Sequence, residues 1–282
     1  MKVIESIAEL RSALAIFRAQ GKRISFVPTM GNLHEGHLQL VRLAREQSDI
    51  VVASIFVNPL QFGLNEDWEQ YPRTFEPDCE KLASVDCDFL LYPREAEVYP
   101  TGMANQTRVS VPTMTDILCG ASRPGHFEGV TTIVAKLFNM VQPDVAIFGI
   151  KDYQQLAVIR KMTTDLCLPI EIVAAPIARD HDGLALSSRN GYLDEFERPI
   201  AAEVYQSLCL AKSLLDEGRR DFGAIEQAAE AHLVNHGMRI DYFSIRRNHD
   251  LEPAGLDDTN LVVLVAVYLG NTRLIDNIEI SL

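Results

Sequence analysis

The chain is 282 residues long, 47% hydrophobic and 23% charged, with a formal net charge of −13 and a pI near 5.0. That balance supports a substantial core in two domains, or one large domain with an appendage, and excludes long disorder. The acid excess repels nucleic acid and anionic membrane in bulk, so an anionic ligand requires a local basic cluster.

Met1 to Gln20 reads as an amphipathic helix bearing Glu5, Glu9, Arg11 and Arg18, with no signal-peptide core. A β-rich run, Ile24 to Val27, then leads into Thr29-Met30-Gly31-Asn32-Leu33-His34-Glu35-Gly36-His37 and a helical pattern, Leu38, Val41 and Ala44. This reads as a strand turning into a helix. Two glycines let the backbone approach a ligand, two imidazoles three residues apart share a face, and the helix N-terminus offers N–H groups to phosphate. Gly31 and Gly36 also have the glycine spacing of a P-loop, but His37 and Leu38 stand where Lys and Ser or Thr are needed. Zinc protease helices space their histidines four apart as H-E-x-x-H, not three. An idle strand–helix turn remains the plain alternative.

Further strands are expected at Ile50 to Val57, Phe89 to Tyr92, Val145 to Phe148 and Ile170 to Val173, most of them separated by helical patterns. Such alternation predicts a parallel sheet covered on both faces, with ligands beyond the carboxyl ends of its strands. Polar clusters fall at those ends: Thr29 to His37, Asn58 to Gly63, and Gly149 to Gln155. Tyr92 to Gly129 is less regular, and its end, Arg123-Pro124-Gly125-His126-Phe127-Glu128-Gly129, is either a substrate-covering loop or a surface connection.

After about residue 176 the pattern changes. Helical runs near Asp194 to Glu217 and Ala224 to His236 precede strands at Ile240 to Ile245, Leu261 to Leu269 and Thr272 to Ile280, the last two joined by Gly270-Asn271 as an antiparallel hairpin. The expected fold class is α/β: a Rossmann-like parallel-sheet domain over residues 1–176, followed by a smaller α+β domain over 177–282. The longest apolar run, Leu261 to Leu269, falls well short of the ~20 residues that span a bilayer. Five cysteines (Cys79, Cys87, Cys119, Cys167, Cys209) without a C-x-x-C pair indicate neither a disulfide framework nor a zinc knuckle, and fit a reducing cytoplasm.

Leu186-Ser187-Ser188-Arg189-Asn190 can bind polyphosphate through hydroxyls and a guanidinium, or can be a serine-capped turn. Lys151 and Asp152 are either a phosphate cation with a metal or hydroxyl partner, or a solvated pair at a helix start. Gln61 and Gln155 are neutral bidentate groups able to hold a hydroxyl and a carboxylate. Asn58 before Pro59 also suits a plain turn.

Together these segments resemble the pantoate–β-alanine ligase (pantothenate synthetase) family of the H-x-G-H nucleotidylyltransferase superfamily. The resemblance is carried by P-T-M-G-x-L-H-x-G-H at Pro28 to His37, F-V-N-P-x-Q-F at Phe56 to Phe62, R-P-G-H-F-x-G-V at Arg123 to Val130, F-G-x-K-D-Y-Q-Q at Phe148 to Gln155, and L-S-S-R-N at Leu186 to Asn190. It implies ATP-dependent joining of pantoate to β-alanine through a pantoyl adenylate, with Mg²⁺, in a cytoplasmic homodimer formed through the sheet domain. It further implies that His34 and His37 contact ATP phosphates and that His37 assists pyrophosphate departure. Lys151 would stabilise charge at the transferring group, and Ser187, Ser188 and Arg189 would hold the β/γ-phosphates. Adenosine would lie against Met30 to Gly36, Gly149, Ile150, Asp152 and the backbone near Ala178 and Leu186. Gln61 and Gln155 would hold pantoate, Asn58 and Asp152 would touch ribose, Mg²⁺ or β-alanine, and Arg123 and His126 would cover the site. No metal ligand set follows. A nucleotidylyltransferase with a phosphorylated acceptor, and a binding module without catalysis, are the competing readings; neutral Gln61 and Gln155 argue against the first, and intact His34, His37, Lys151 and Arg189 against the second.

Overall fold

The computed structural model describes residues 1–63, 66 and 68–282. Two compact units are formed, Met1–Gly149 with Val158–Ala175, and Ile150–Ala157 with Pro176–Leu282.

The first unit is a six-stranded parallel sheet, in the order β1-β4-β3-β2-β5-β6. Its strands are β1 (Lys2–Ile4), β2 (Ile24–Thr29), β3 (Ile50–Ile55), β4 (Phe89–Leu91), β5 (Val145–Gly149) and β6 (Glu171–Ala175). The connections carry α1 (Ile7–Ala19), α2 (Glu35–Gln47), α3 (Phe75–Ala83), α4 (Glu95–Val98), α5 (Cys119–Ser122), α6 (His126–Val141) and α7 (Tyr153–Asp165). β3 is buried along its whole length, as both covered faces require. On one side of it, Val41 and Ala44 of α2 and Leu82 of α3 pack with Val27, Val51, Ala53, Leu90 and Ile147. From β2 the chain moves outward to β3 and β4, then returns to place β5 and β6 on the other side of β2. The strand order therefore reverses between β2 and β5, and a crevice is expected beyond their carboxyl ends.

The N-terminal segment departs from the sequence reading. Lys2–Ile4 pairs with Phe89–Leu91 as an edge strand before the helix begins at Ile7.

In the second unit a 3-10 turn (Ser188–Tyr192) leads to α8 (Glu197–Ile200), α9 (Glu203–Asp216) and α10 (Phe222–Asn235). The helical run expected over 194–217 is thus broken. Val204 N–H bonds to the Ala201 carbonyl three residues back, closing a tight turn between α8 and α9. An antiparallel sheet follows, β7 (Arg239–Arg247), β8 (Asn260–Leu269) and β9 (Thr272–Ser281), with Leu269 opposite Thr272 across the expected Gly270-Asn271 hairpin. Leu208, Ala211 and Leu215 of α9 and Ile225, Ala229 and Leu233 of α10 cover Val263, Val265 and Val267 of β8.

Residues 150–157 go with this unit because β9 holds them. The Asn277 side-chain amide donates to the carbonyls of Ile150 (2.7 Å) and Lys151 (3.0 Å), and Tyr153 Oη donates to Glu279 (2.8 Å) and the Asn248 carbonyl (3.1 Å).

Candidate functional site

The β2–α2 turn is shaped by buried hydrogen bonds. Thr29 Oγ1 donates to the Ser54 carbonyl of β3 (2.7 Å) and accepts from Gly31 N–H (3.2 Å). Gly31 has φ +84°, and a Cβ there would sit 3.0 Å from Ile55 and 3.1 Å from the Asp78 carboxylate, so glycine is favoured on both counts. Asn32 is also left-handed, at φ 49°. Its N–H and that of Leu33 each donate to Asp78 at 2.8 Å, and Thr74 Oγ1 donates to the same carboxylate at 3.0 Å. Asp78, on α3, is 0% exposed. It holds this turn, yet nothing adjacent in sequence marks it; the one clue is an acid at a core-facing helical position.

The turn delivers His34 as N-cap of α2. Its carbonyl accepts from the N–H groups of His37 (2.8 Å) and Leu38 (3.2 Å), and its own N–H donates to His37 Nδ1 at 3.3 Å. A nitrogen that accepts carries no proton, so the neutral His37 ring bears its hydrogen on Nε2. The two half-buried rings lie with centroids 4.1 Å apart. Glu35 opens the helix and is exposed, paired with Arg42. The partial positive charge at the N-terminus of this 13-residue helix favours an anion.

The β3 loop meets this turn directly. Gln61, 8% exposed, donates from Nε2 to Met30 Sδ at 3.0 Å and accepts at Oε1 from Asn58 Nδ2 at 3.3 Å. Asn58 is itself 1% exposed, with Nδ2 also donating to the Gly129 carbonyl (3.1 Å) and Oδ1 accepting from Tyr99 Oη (2.6 Å). Burial pushes the Tyr99 phenol well above its ordinary range, so it stays protonated and donates. Asn58 thus positions Gln61. A Cβ on Gly129 would stand 2.2 Å from the Leu60 carbonyl oxygen, so α6 can approach this turn only through glycine.

Arg123 and His126 grip the backbone of the same residue. His126 Nδ1 donates to the Gln61 carbonyl at 2.8 Å, and its Nε2 accepts from Arg123 Nη1 at 3.0 Å. That arrangement uses both nitrogens of the neutral ring. Arg123 also pairs with Glu66 through Nε (2.7 Å) and Nη2. Burial opposes ionisation of Glu66, but the hydrogen bond and charge of Arg123 outweigh it and hold the carboxyl below its ordinary value.

Gly149 ends β5 beside β2 and faces α2, where a Cβ would meet Leu40 at 3.9 Å. At the carboxyl edge of the first unit the structure therefore gathers Met30 to His37, Asn58, Gln61, Arg123, His126 and Gly149.

In the second unit Lys151 and Asp152 form a 3-10 turn before α7, with Nζ and Oδ2 3.2 Å apart. Gln155 is half-buried on α7. Asn277, which holds the Lys151 carbonyl, is oriented next to a buried ion pair. Asp276 of β9, 3% exposed, takes a forked contact from Arg179 (2.5 and 2.9 Å), while Arg179 also donates to the carbonyls of Gly183 and Asn277. Burial raises the Asp276 carboxyl against the pull of Arg179. This pair fixes the strip that carries Ala178 and the Ser-Ser-Arg segment: Leu186 N–H bonds to the Ala178 carbonyl at 2.9 Å, and Arg179 bridges to Ala185. Ser187 then caps the 3-10 turn, accepting from Arg189 N–H at 3.2 Å. Capping occupies one lone pair of the Ser187 hydroxyl and leaves its O–H able to donate. Ser187, Ser188 and Arg189 are all half-buried. Neither Arg179, Asp276 nor Asn277 was legible beforehand, since their partners lie about a hundred residues away.

Comparison with known proteins gives the family of the chain. The family model described as Pantoate-beta-alanine ligase matches residues 2–279. A pantothenate synthetase of Cellvibrio japonicus is 57% identical over 282 residues, covering 100% of both chains, and one of Saccharophagus degradans is 56% identical over 281 residues, covering 100% of this chain and 99% of its own. Among solved structures, pantothenate synthetase of Thermus thermophilus superposes with a TM-score of 0.94 at 43% identity over 100% of both chains. Pantoate-beta-alanine ligase of Francisella tularensis, solved with beta-gamma ATP and beta-alanine, gives 0.79 at 33% identity, over 99% of this chain and 97% of its own.

Proposed function

The chain belongs to the pantoate–β-alanine ligase family, and from that premise we propose how its residues divide the reaction. It condenses pantoate with β-alanine at the expense of ATP. The pantoate carboxylate attacks the α-phosphorus, the bond to the β-phosphate oxygen breaks, and pyrophosphate leaves. The β-alanine amine then attacks the acyl carbon of the adenylate, AMP leaves, and the ammonium proton passes to solvent.

The observation that carries this division is the 3.0 Å contact between Met30 of the histidine turn and Gln61 of the β3 loop. It sets a neutral amide beside the turn that opens α2, whose N-terminus favours an anion. Gln61 holds the pantoate hydroxyl or carboxylate without adding charge, and Gln155 shares that task. His34 and the N-terminus of α2 take ATP phosphates, and His37 donates from Nε2 to the departing pyrophosphate. Lys151 neutralises charge at the transferring group, Ser187, Ser188 and Arg189 hold the β/γ-phosphates, and Gly149, Ile150 and Ala178 with Leu186 face the adenosine. Such chemistry depends on alignment and charge stabilisation, with no protein nucleophile. Arg123 and His126 fix the Gln61 backbone and close the site to water.

Mg²⁺ accompanies ATP. It keeps several waters and needs few protein ligands, a demand that the partly exposed Asp152 carboxylate suits. Bound there, the ion would offset charge on the phosphates. The family resemblance also carries a homodimer formed through the sheet domain, readable by sedimentation, and a cytoplasmic setting; no helix among the described residues is long and apolar enough to cross a membrane.

The test is turnover of purified protein with pantoate, β-alanine and Mg-ATP. AMP and pantothenate should appear in equal amounts, and no AMP release with both substrates present would remove the reading.

A further inference from the structure

The second unit carries a side-chain cluster to which the reaction gives no role. His232 lies in the last turn of α10 and His236 caps it, four residues on and so on the same face. Glu203 opens α9. Its Oε2 is 2.8 Å from His232 Nε2 and 3.8 Å from His236 Nε2, the imidazole centroids are 4.6 Å apart, and one ligand atom from each of the three groups falls within a 4.8 Å span.

A tetrahedral Zn²⁺ with ligands at about 2.0–2.1 Å holds neighbouring ligand atoms about 3.3 Å apart, midway between the two separations seen here. The Glu203 carboxylate can only accept, so His232 Nε2 carries the hydrogen it donates at 2.8 Å and releases it to solvent when an ion binds; His236 needs no such loss. His236 Nδ1 lies 2.8 Å from the His232 carbonyl, which can only accept, so Nδ1 carries the hydrogen and Nε2 presents its lone pair toward Glu203. An imidazole anchored through one nitrogen to a backbone carbonyl is oriented at the other, as metal-ligating histidines are. Side-chain exposures of 28% for Glu203 and His232 and 39% for His236 leave room for water as a further ligand and for an ion to enter. The dipole of a helix C-terminus favours each histidine singly. It does not account for two Nε2 atoms converging on one carboxylate oxygen.

We propose that Glu203, His232 and His236 form a three-ligand site for a borderline divalent transition metal, Zn²⁺ foremost, which ties the start of α9 to the end of α10. Two imidazoles and a carboxylate select such ions over Mg²⁺, which prefers oxygen ligands throughout. The site is structural and separate from the residues assigned to the reaction.

The experiment uses the full chain, stripped with chelator and titrated with ZnCl₂ alone by calorimetry and by thermal melting. One ion should bind per chain and raise the melting temperature, with MgCl₂ at the same concentration giving no shift. His236→Ala and Glu203→Gln should each weaken Zn²⁺ affinity at least about ten-fold, and His232→Ala with His236→Ala should abolish it, all three variants keeping their circular dichroism and basal turnover. If the double variant does not fold, His236→Ala alone, at the half-exposed cap, decides. Absence of Zn²⁺ binding to the parent chain, or undiminished binding in the histidine variants because cysteines take the ion, overturns the proposal.

Discussion

Replacing Asp78 with Asn tests whether this buried carboxylate shapes the histidine turn. The carboxylate accepts from Asn32 N–H and Leu33 N–H at 2.8 Å each and from Thr74 Oγ1 at 3.0 Å. An asparagine keeps one oxygen. Its NH₂ group faces whichever backbone N–H the other oxygen had served, donor against donor. The change removes one charge-assisted bond, worth about 1.5–3 kcal/mol, and leaves a buried N–H unsatisfied at about 1–3 kcal/mol. These losses overlap, so roughly 3–4 kcal/mol is expected in total. At about 2–4 °C per kcal/mol the melting temperature should fall roughly 6–15 °C. Asn32 is held at φ 49°, a conformation that costs energy outside glycine, and without both bonds the turn should relax and carry His34 out of its capping position. Single-turnover adenylate formation should therefore drop at least about ten-fold at temperatures where circular dichroism shows the variant folded, since a misplacement of about 1 Å is enough. Thr74→Ala, which removes only the hydroxyl donor, should cost about 1 kcal/mol and leave adenylation within a few-fold. An Asp78→Asn variant with parental melting and parental adenylation would refute the reasoning.

His37→Ala should depress adenylate formation by about 10²-fold while changing pantoate affinity little, checked by rapid quench against equilibrium binding; equal loss of both would assign His37 to positioning. Lys151→Ala should behave the same way, and unchanged single-turnover adenylation would remove its role. Gly129→Ala forces a Cβ to 2.2 Å from the Leu60 carbonyl, so the turn must move and the Michaelis constant for pantoate should rise more than that for ATP. Glu66→Gln probes the Arg123 clamp through pH. Because the folded carboxyl is held below its ordinary 4.5, its stabilisation is fully present above that value and is lost as pH falls through the lowered one. The variant should melt lower than the parent at neutral pH, with the gap closing in acid; a gap independent of pH would contradict the pairing.

Much of the fold was readable because apolar periodicity is local. β3 is an apolar run interrupted only by Ser54 and buried along its whole length, and Gly270-Asn271 carries its own hairpin signal. β1 was hidden because three residues ahead of a helix have no period of their own, and their identity as a strand depends on β4, more than eighty residues away. The break between α8 and α9 was hidden for the opposite reason: buried Ala201, Val204 and Leu208 continue helical spacing straight through it. In the site, the residues that would touch ligands sit in short glycine-bearing motifs, where spacing conveys geometry. Those that hold the motifs in place do not. Asp78 reaches back 46 residues to Asn32, and Asn277 reaches back 127 to Ile150, and a single long-range hydrogen bond leaves no trace in local sequence.

The central claim, that pantoate is activated by transfer to the α-phosphorus of ATP, is tested most directly by oxygen-18. Pantoate labelled in its carboxylate is turned over with β-alanine and Mg-ATP, and the products are weighed by mass spectrometry. Attack by the carboxylate on the α-phosphorus predicts one labelled oxygen in AMP and none in pyrophosphate. Label absent from AMP, or found in pyrophosphate or inorganic phosphate, would contradict the account.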